Sequence, residues 1–280
     1  MKILVAGYKG MLGSDLMTTL GEVHEVTGKD IEDFNIVSAS DCRHVVEKSG
    51  ADVVINAAAY TNVDGCETDE ARCFSVNGEG VKNLALACTK SGIKLIHFST
   101  DYVFDGTKGT PYTENDPCNP LNIYGKSKLK GEEYLREFSD NYILLRTSWL
   151  YGKNGRNFVS AIVEKAKETG ELEVVDDQTG SPTCTVDLAL AVRVLVGGDY
   201  RGVFHVTNRG TCSWYQFALK ILEYGEMNDV RIIPTKSTAL GQGAPRPEYS
   251  VLSCQKFAYT THRTMQFWQI ALKNYMSRKS

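Results

Sequence analysis

Through the first half of the chain, short apolar and β-branched runs alternate with longer stretches whose apolar positions recur at helical spacing. Lys2 to Ala6, Val23 to Thr27, Asp52 to Asn56, Lys94 to Phe98 and Tyr142 to Arg146 read as strands covered on both faces. Strands separated in this way need right-handed helical crossovers, which predicts an α/β fold built on a doubly wound parallel sheet. Leu172 to Val175 and Val203 to Val206 read as further strands, Val186 to Val196 as a packed helix, and the sheet is expected to continue to about Asn208. From Thr211 the pattern changes to isolated helices, a short strand at Arg231 to Ile233, and a Gly/Pro-bearing loop from Ala239 to Pro247. A smaller C-terminal lobe is therefore expected, with residues 1–149 and 172–209 forming the sheet domain and 150–171 and 210–280 the lobe.

With 280 residues and 42% hydrophobic content, the chain can bury a core large enough for this arrangement. Its 31 basic and 34 acidic residues leave a net charge of -3, which supplies no basic field for phosphate backbones and argues against a nucleic-acid partner. The apolar run after Met1 is too short for a signal segment or a membrane span, so a soluble, cytoplasmic protein is expected. Cys42, Cys66, Cys73, Cys88, Cys118, Cys184, Cys212 and Cys254 form no C-x-x-C pair and read as reduced structural thiols. His24, His44, His205 and His262 show no metal spacing, and His97, inside a predicted strand, reads as a satisfied core residue; no metal site is expected. Trp214-Tyr215 and Phe267-Trp268 read as packing.

The first strand runs into Gly7-Tyr8-Lys9-Gly10-Met11-Leu12-Gly13, and helical periodicity begins at Met11. Glycines suit a chain that must turn tightly, bring bare backbone to a pyrophosphate and pack the following helix closely, with helix amides facing the anion. Asp30 ends the second strand, where a carboxylate accepts a hydrogen bond from an adenosine ribose. Together these predict a Rossmann-type dinucleotide site. Asp30 favours NADH, whereas Lys9 and Lys29 offer countercharge to the 2′-phosphate of NADPH, so the choice between the two stays open. Small side chains in Asn56-Ala57-Ala58-Ala59-Tyr60-Thr61 leave room for a flat ring or a ribose at the third strand's end.

The chemistry is carried by Tyr124-Gly125-Lys126-Ser127-Lys128, with Ser99-Thr100-Asp101-Tyr102 at the end of the fourth strand. Tyr124 and Lys128, four apart, share a helix face, so the ammonium is expected to stabilise a tyrosinate and lower the phenol pKa. In a reduction, a nicotinamide gives hydride to a carbonyl carbon, Tyr124 gives the oxygen a proton and Thr100 hydrogen-bonds that oxygen. Lys128 can also hold the nicotinamide ribose.

These residues resemble the extended short-chain dehydrogenase/reductases, and more closely the dTDP-4-dehydrorhamnose reductases. The resemblance spans nearly the whole chain: the glycine turn, NAAAYTNVD at 56–64, STDYVFDG at 99–106, NPLNIYGKSK at 119–128, RTSWLYG at 146–152 and DQTGSPT at 177–183. It implies Tyr124 as catalytic acid, Lys128 as its partner and Thr100 at the sugar carbonyl. It implies cofactor contacts at Gly7, Gly10, Met11, Leu12, Gly13, Asp30, Asn35, Ile36, Ala59, Tyr60, Thr61, Phe98, Tyr124 and Lys128. Val63, Thr100, Asp101 and Trp149 would line the sugar, and Arg246 would grip the nucleotide diphosphate of a nucleotide-sugar substrate bound by the lobe. Asn35 stands where relatives commonly have Asp, and Glu248-Tyr249 follows Arg246-Pro247 where they often have Asn. Some relatives bridge subunits with Mg²⁺ through surface carboxylates; no such set is matched here, and a homodimer is left open.

Two other readings are weighed. The related sugar-nucleotide 4,6-dehydratases carry Asp-Glu after the catalytic threonine, because dehydration needs an extra acid and base; here Asp101-Tyr102 follows, which favours simple reduction over dehydration or epimerisation. A regulatory subunit of methionine adenosyltransferase also resembles these reductases, but Thr100, Tyr124 and Lys128 together favour an enzyme.

Overall fold

The computed structural model describes residues 1–239, 241 and 243–277; positions 240 and 242 of the expected loop and the last three of the expected lobe lie outside the described residues. In chain order, β1 (Lys2–Ala6) enters α1 (Met11–Gly21), and β2 (Glu25–Lys29) enters α2 (Ala39–Ser49). β3 (Val53–Asn56) is followed by the short helices α3 (Val63–Thr68) and α4 (Glu70–Phe74), a π-helical turn at Ser75–Glu79, and α5 (Gly80–Lys90). β4 (Lys94–Thr100) leads through a 3-10 turn at Asp101–Val103 to α6 (Ile123–Phe138) and β5 (Tyr142–Thr147). Next come β6 (Leu150–Tyr151), α7 (Phe158–Thr169), β7 (Glu171–Val175), β8 (Thr179–Gly180), β9 (Thr183–Cys184), α8 (Thr185–Val196) and β10 (Gly202–His205). β11 (Cys212–Ser213), α9 (Trp214–Tyr224), β12 (Arg231–Thr235), α10 (Gln255–Thr261) and α11 (Trp268–Ser277) complete the order.

Six strands form one parallel sheet in the order β10-β5-β4-β3-β1-β2. β1 is flanked by β2 on one side and β3 on the other, and open α/β sheets hold ligands at such a switch point, outside the carboxyl ends of the strands. Both faces are apolar because alternate residues of β1 point opposite ways: Ile3 and Val5 meet Leu16 of α1 and Val192 of α8, while Leu4 and Ala6 join the core of Val46, Leu84 and Cys88. A third core gathers Tyr151, Leu172, Val174, Phe217, Ile221 and Leu272 in the C-terminal lobe.

The pattern of the sequence is corrected at three places. The second strand begins at Glu25, since the amides of Val23 and His24 bond back to the Leu20 carbonyl and Val23 is 59% exposed. Leu172 to Val175 is a strand, but it pairs in parallel with β12 in a separate two-stranded sheet and packs into the lobe's core; apolar alternation predicts a strand without naming its partner. The cysteines are not all free thiols, because Cys66 and Cys73 form a disulfide. The chain breaks at Asp69, whose carboxylate caps α4 through the Arg72 amide, and that corner folds α4 back on α3. No helix among the described residues is long and apolar enough to cross a membrane.

Candidate active site

Gly7 has φ +79° and turns the chain off the sheet so that its amide reaches the Lys29 carbonyl at 2.8 Å; a side chain on Gly13 would strike the Gly7 carbonyl. Gly10 is the N-cap of α1 and no side chain caps the first turn, so the helix amides there are suited to an anion. A cavity of about 260 Å³ opens between the ends of β1, β2 and β3, bordered by Gly7, Gly10, Asp30, Asn35, Ile36 and Ala59. Asp30 accepts from the Lys9 amide at 3.0 Å and the Ile31 amide at 2.8 Å. Asn35 closes its own turn by accepting from the Val37 amide at 3.0 Å. Leu12 is buried in the sheet core, and Met11 lies against Gly152 and Asn157. Thr61 is exposed, whereas Tyr60 is clamped at both its amide and its carbonyl by Asn77, each at 2.9 Å. A bare-backbone turn, an uncapped helix start and a carboxylate at the ribose position are the donor set a dinucleotide requires.

Thr100 ends β4 and is buried; its hydroxyl accepts from the Tyr102 amide at 3.1 Å and donates to Asp101 Oδ1 at 3.0 Å. The phenol of Tyr124 lies close to the same hydroxyl. α6 starts at Asn122, whose side chain accepts from the Gly125 amide at 2.7 Å. Position 125 must be glycine because a Cβ there would run into the carbonyl oxygen of Tyr102, the point where α6 meets the turn after β4. Burial holds the Tyr124 phenol above its ordinary range; nearby Asp101 acts in the same direction and Thr100 against it. Burial also pushes the Asp101 carboxyl up to about 7, against the Ser250 and Thr100 hydroxyls.

Lys128 departs from expectation. Its Nζ donates to the Phe98 carbonyl at 2.6 Å and lies 3.5 Å from His97 Nε2, and burial lowers its pKa to about 8. At the Tyr124 phenol burial outweighs any help from this charge, and Tyr124 stands as a protonated donor. Trp149 has φ +48° and stacks on Trp214 with ring centroids 3.5 Å apart. Val63 opens α3, and the next residue, Asp64, holds Arg246, whose Nη2 is 3.0 Å from each carboxylate oxygen. Arg246 also lies near Tyr102, whose ring stands edge-on to Tyr124 at 6.0 Å. Thr100, Asp101, Tyr124 and Lys128 are thus brought together, with Arg246 linked to them through Tyr102.

A family model, the RmlD substrate binding domain, matches residues 1–280. The chain belongs to that family. It is 40% identical to the spore coat polysaccharide biosynthesis protein SpsK of Bacillus subtilis, over 100% of this chain and 98% of that protein. A dTDP-4-dehydrorhamnose reductase of Clostridium acetobutylicum superimposes with a TM-score of 0.96 at 39% identity, covering 100% and 99% of the two chains. The dTDP-4-dehydrorhamnose reductase of Bacillus anthracis in complex with NADP gives 0.96 at 35% identity, with 100% and 99% covered.

Within this RmlD-type site, several supporting residues carry no signal in the sequence. The Ala58 amide donates to Asn56 Oδ1 at 3.1 Å, and Asn56 Nδ2 lies 3.2 Å from His97 Nδ1, so the core histidine backs Lys128. Asn77, in the π-helical turn, joins Tyr60 to Ser127 of α6 at 3.0 Å. Trp214 reads as packing along its helix, and only the fold shows that what it packs against is Trp149. Asp64 sits inside the NAAAYTNVD segment, a cue that marks it without indicating its partner.

Proposed function

We propose that this chain reduces the 4-keto group of dTDP-4-dehydro-L-rhamnose to give dTDP-L-rhamnose, using NADH or NADPH. The observation that carries the reading is the placing of a protonated Tyr124 phenol next to the Thr100 hydroxyl at the carboxyl end of β4, in the sheet whose β1 to β3 ends open on the dinucleotide cavity. Gly10, Met11, Leu12, Asp30, Ile36 and Ala59 would hold the cofactor, and the reduced nicotinamide supplies a hydride to the carbonyl carbon. Tyr124 delivers its phenolic proton to the carbonyl oxygen, while Thr100 hydrogen-bonds that oxygen and fixes it. Lys128, one turn along α6, stabilises the resulting tyrosinate and holds the nicotinamide ribose. Val63, Asp101 and Trp149 line the sugar, and the Arg246 guanidinium meets the diphosphate.

Tyr102 occupies the position where a dehydratase would carry its extra acid, which supports reduction alone. The family supports a nucleotide sugar as the substrate, and a cytoplasmic enzyme is the corresponding location. The test is loss of NADH or NADPH absorbance with substrate generated in situ by the upstream dehydratase and epimerase. Tyr124→Phe is expected to keep cofactor affinity and lose roughly 10² to 10⁴ in rate. Near-normal turnover in that variant would remove Tyr124 from the mechanism.

A further inference from the structure

Two lysines adjoin Asp30, a residue lining the dinucleotide cavity, Lys29 along the chain and Lys9 through its amide, and each is already paired. Lys9, in the glycine turn, places Nζ 3.0 Å from Glu32, and Lys29, the last residue of β2, places Nζ 3.4 Å from Asp33. Backbone amides hold the carboxylates of Asp33 and Asp30 in place. Asp33 Oδ2 accepts the Asp30 amide at 2.9 Å, and Asp30 accepts the amides of Lys9 and Ile31. Three carboxylates, those of Asp30, Glu32 and Asp33, therefore face two ammonium groups at this corner.

We propose that this corner makes the chain selective for NADH over NADPH, with Glu32 and Asp33 setting the preference by holding Lys9 and Lys29 away from a 2′-phosphate. The inference rests on the cofactor reading above. A ribose 2′-hydroxyl needs only an acceptor, which Asp30 provides without rearrangement. A 2′-phosphate brings about two negative charges next to Asp30, and its only compensation is to draw the lysines out of their pairs, leaving Glu32 and Asp33 unbalanced. Because both pairs are solvent-exposed, the preference is graded, roughly three- to tenfold in affinity.

Isothermal titration of the full chain with NADH and with NADPH, at low and at moderate salt, tests this directly. The natural sequence should bind NADH more tightly by that factor, with the gap narrowing as salt screens the corner. The double variant Glu32→Gln, Asp33→Asn frees both lysines and should tighten NADPH by about tenfold while NADH moves by less than about twofold. Adding Lys9→Ala and Lys29→Ala should cancel that gain. Equal affinities in the natural sequence, or an unmoved NADPH affinity in the double variant, would overturn the assignment. Failure of the natural sequence to bind either dinucleotide is a different result, and it would overturn the cofactor reading beneath.

Discussion

Asp101 is buried beside the reacting groups, and its carboxyl is lifted to about 7, chiefly by burial. An acid whose folded pKa lies above its unfolded value contributes stability that is fully present below about pH 4 and is lost as pH rises through 7. Asp101→Asn should therefore match the natural protein near pH 4.5 and exceed it at pH 8, by at most about 4 kcal/mol. Denaturant unfolding at the two pH values measures the difference, and a gap that does not change with pH would contradict the account. Lys128, lowered to about 8 by burial, should hold cofactor with constant affinity below pH 8 and more weakly above it. Lys128→Met should abolish that inflection. The sequence identifies Tyr124, Lys128 and Thr100 by residue type and spacing, but the direction in which burial moves Tyr124 is set by the walls around it, which no local spacing encodes.

At the scale of elements, α6 carries Tyr124 and Lys128 and is fixed at its start and in its second half. Asn122 caps it and also donates to the Pro245 carbonyl at 2.8 Å. Farther along, Glu132 is fully buried and pairs with Arg146 of β5 at 2.7 Å. Asn122→Ala should cost about 1 kcal/mol from the lost cap, with a further loss from the stranded carbonyl, read as a lower unfolding midpoint. Gly125→Ala should cost about 1 to 3 kcal/mol by overpacking against Tyr102 and should lower turnover, because the displacement falls beside Tyr124. A stable, fully active alanine variant would show that the helix start is not held by this contact. Periodicity made β1, β3, β4 and β5 legible, since strands buried on both faces are written as apolar runs. It left β7 with the wrong neighbour because a two-residue period says nothing about which edge a strand joins.

For the whole molecule, the C-terminal segment is tied to α3 where Arg246 is held by Asp64. Arg246→Ala should raise the KM for the nucleotide sugar by roughly 10- to 100-fold, as for loss of a charged hydrogen-bonding group, with cofactor affinity unchanged; an unaltered KM would place the diphosphate elsewhere. This contact joins residues 182 positions apart, so the sequence identifies Arg246 only by resemblance and gives no sign of its partner. The stacked indoles of Trp149 and Trp214 have an optical consequence. Of the three tryptophans, Trp268 alone lies outside the stack, buried in the lobe's core. Emission from the pair should therefore respond when a sugar reaches Trp149 while Trp268 supplies a steady background, and Trp214→Phe should flatten the response. On the function proposed above, the chain would carry its own label-free gauge of how many sugar sites are filled.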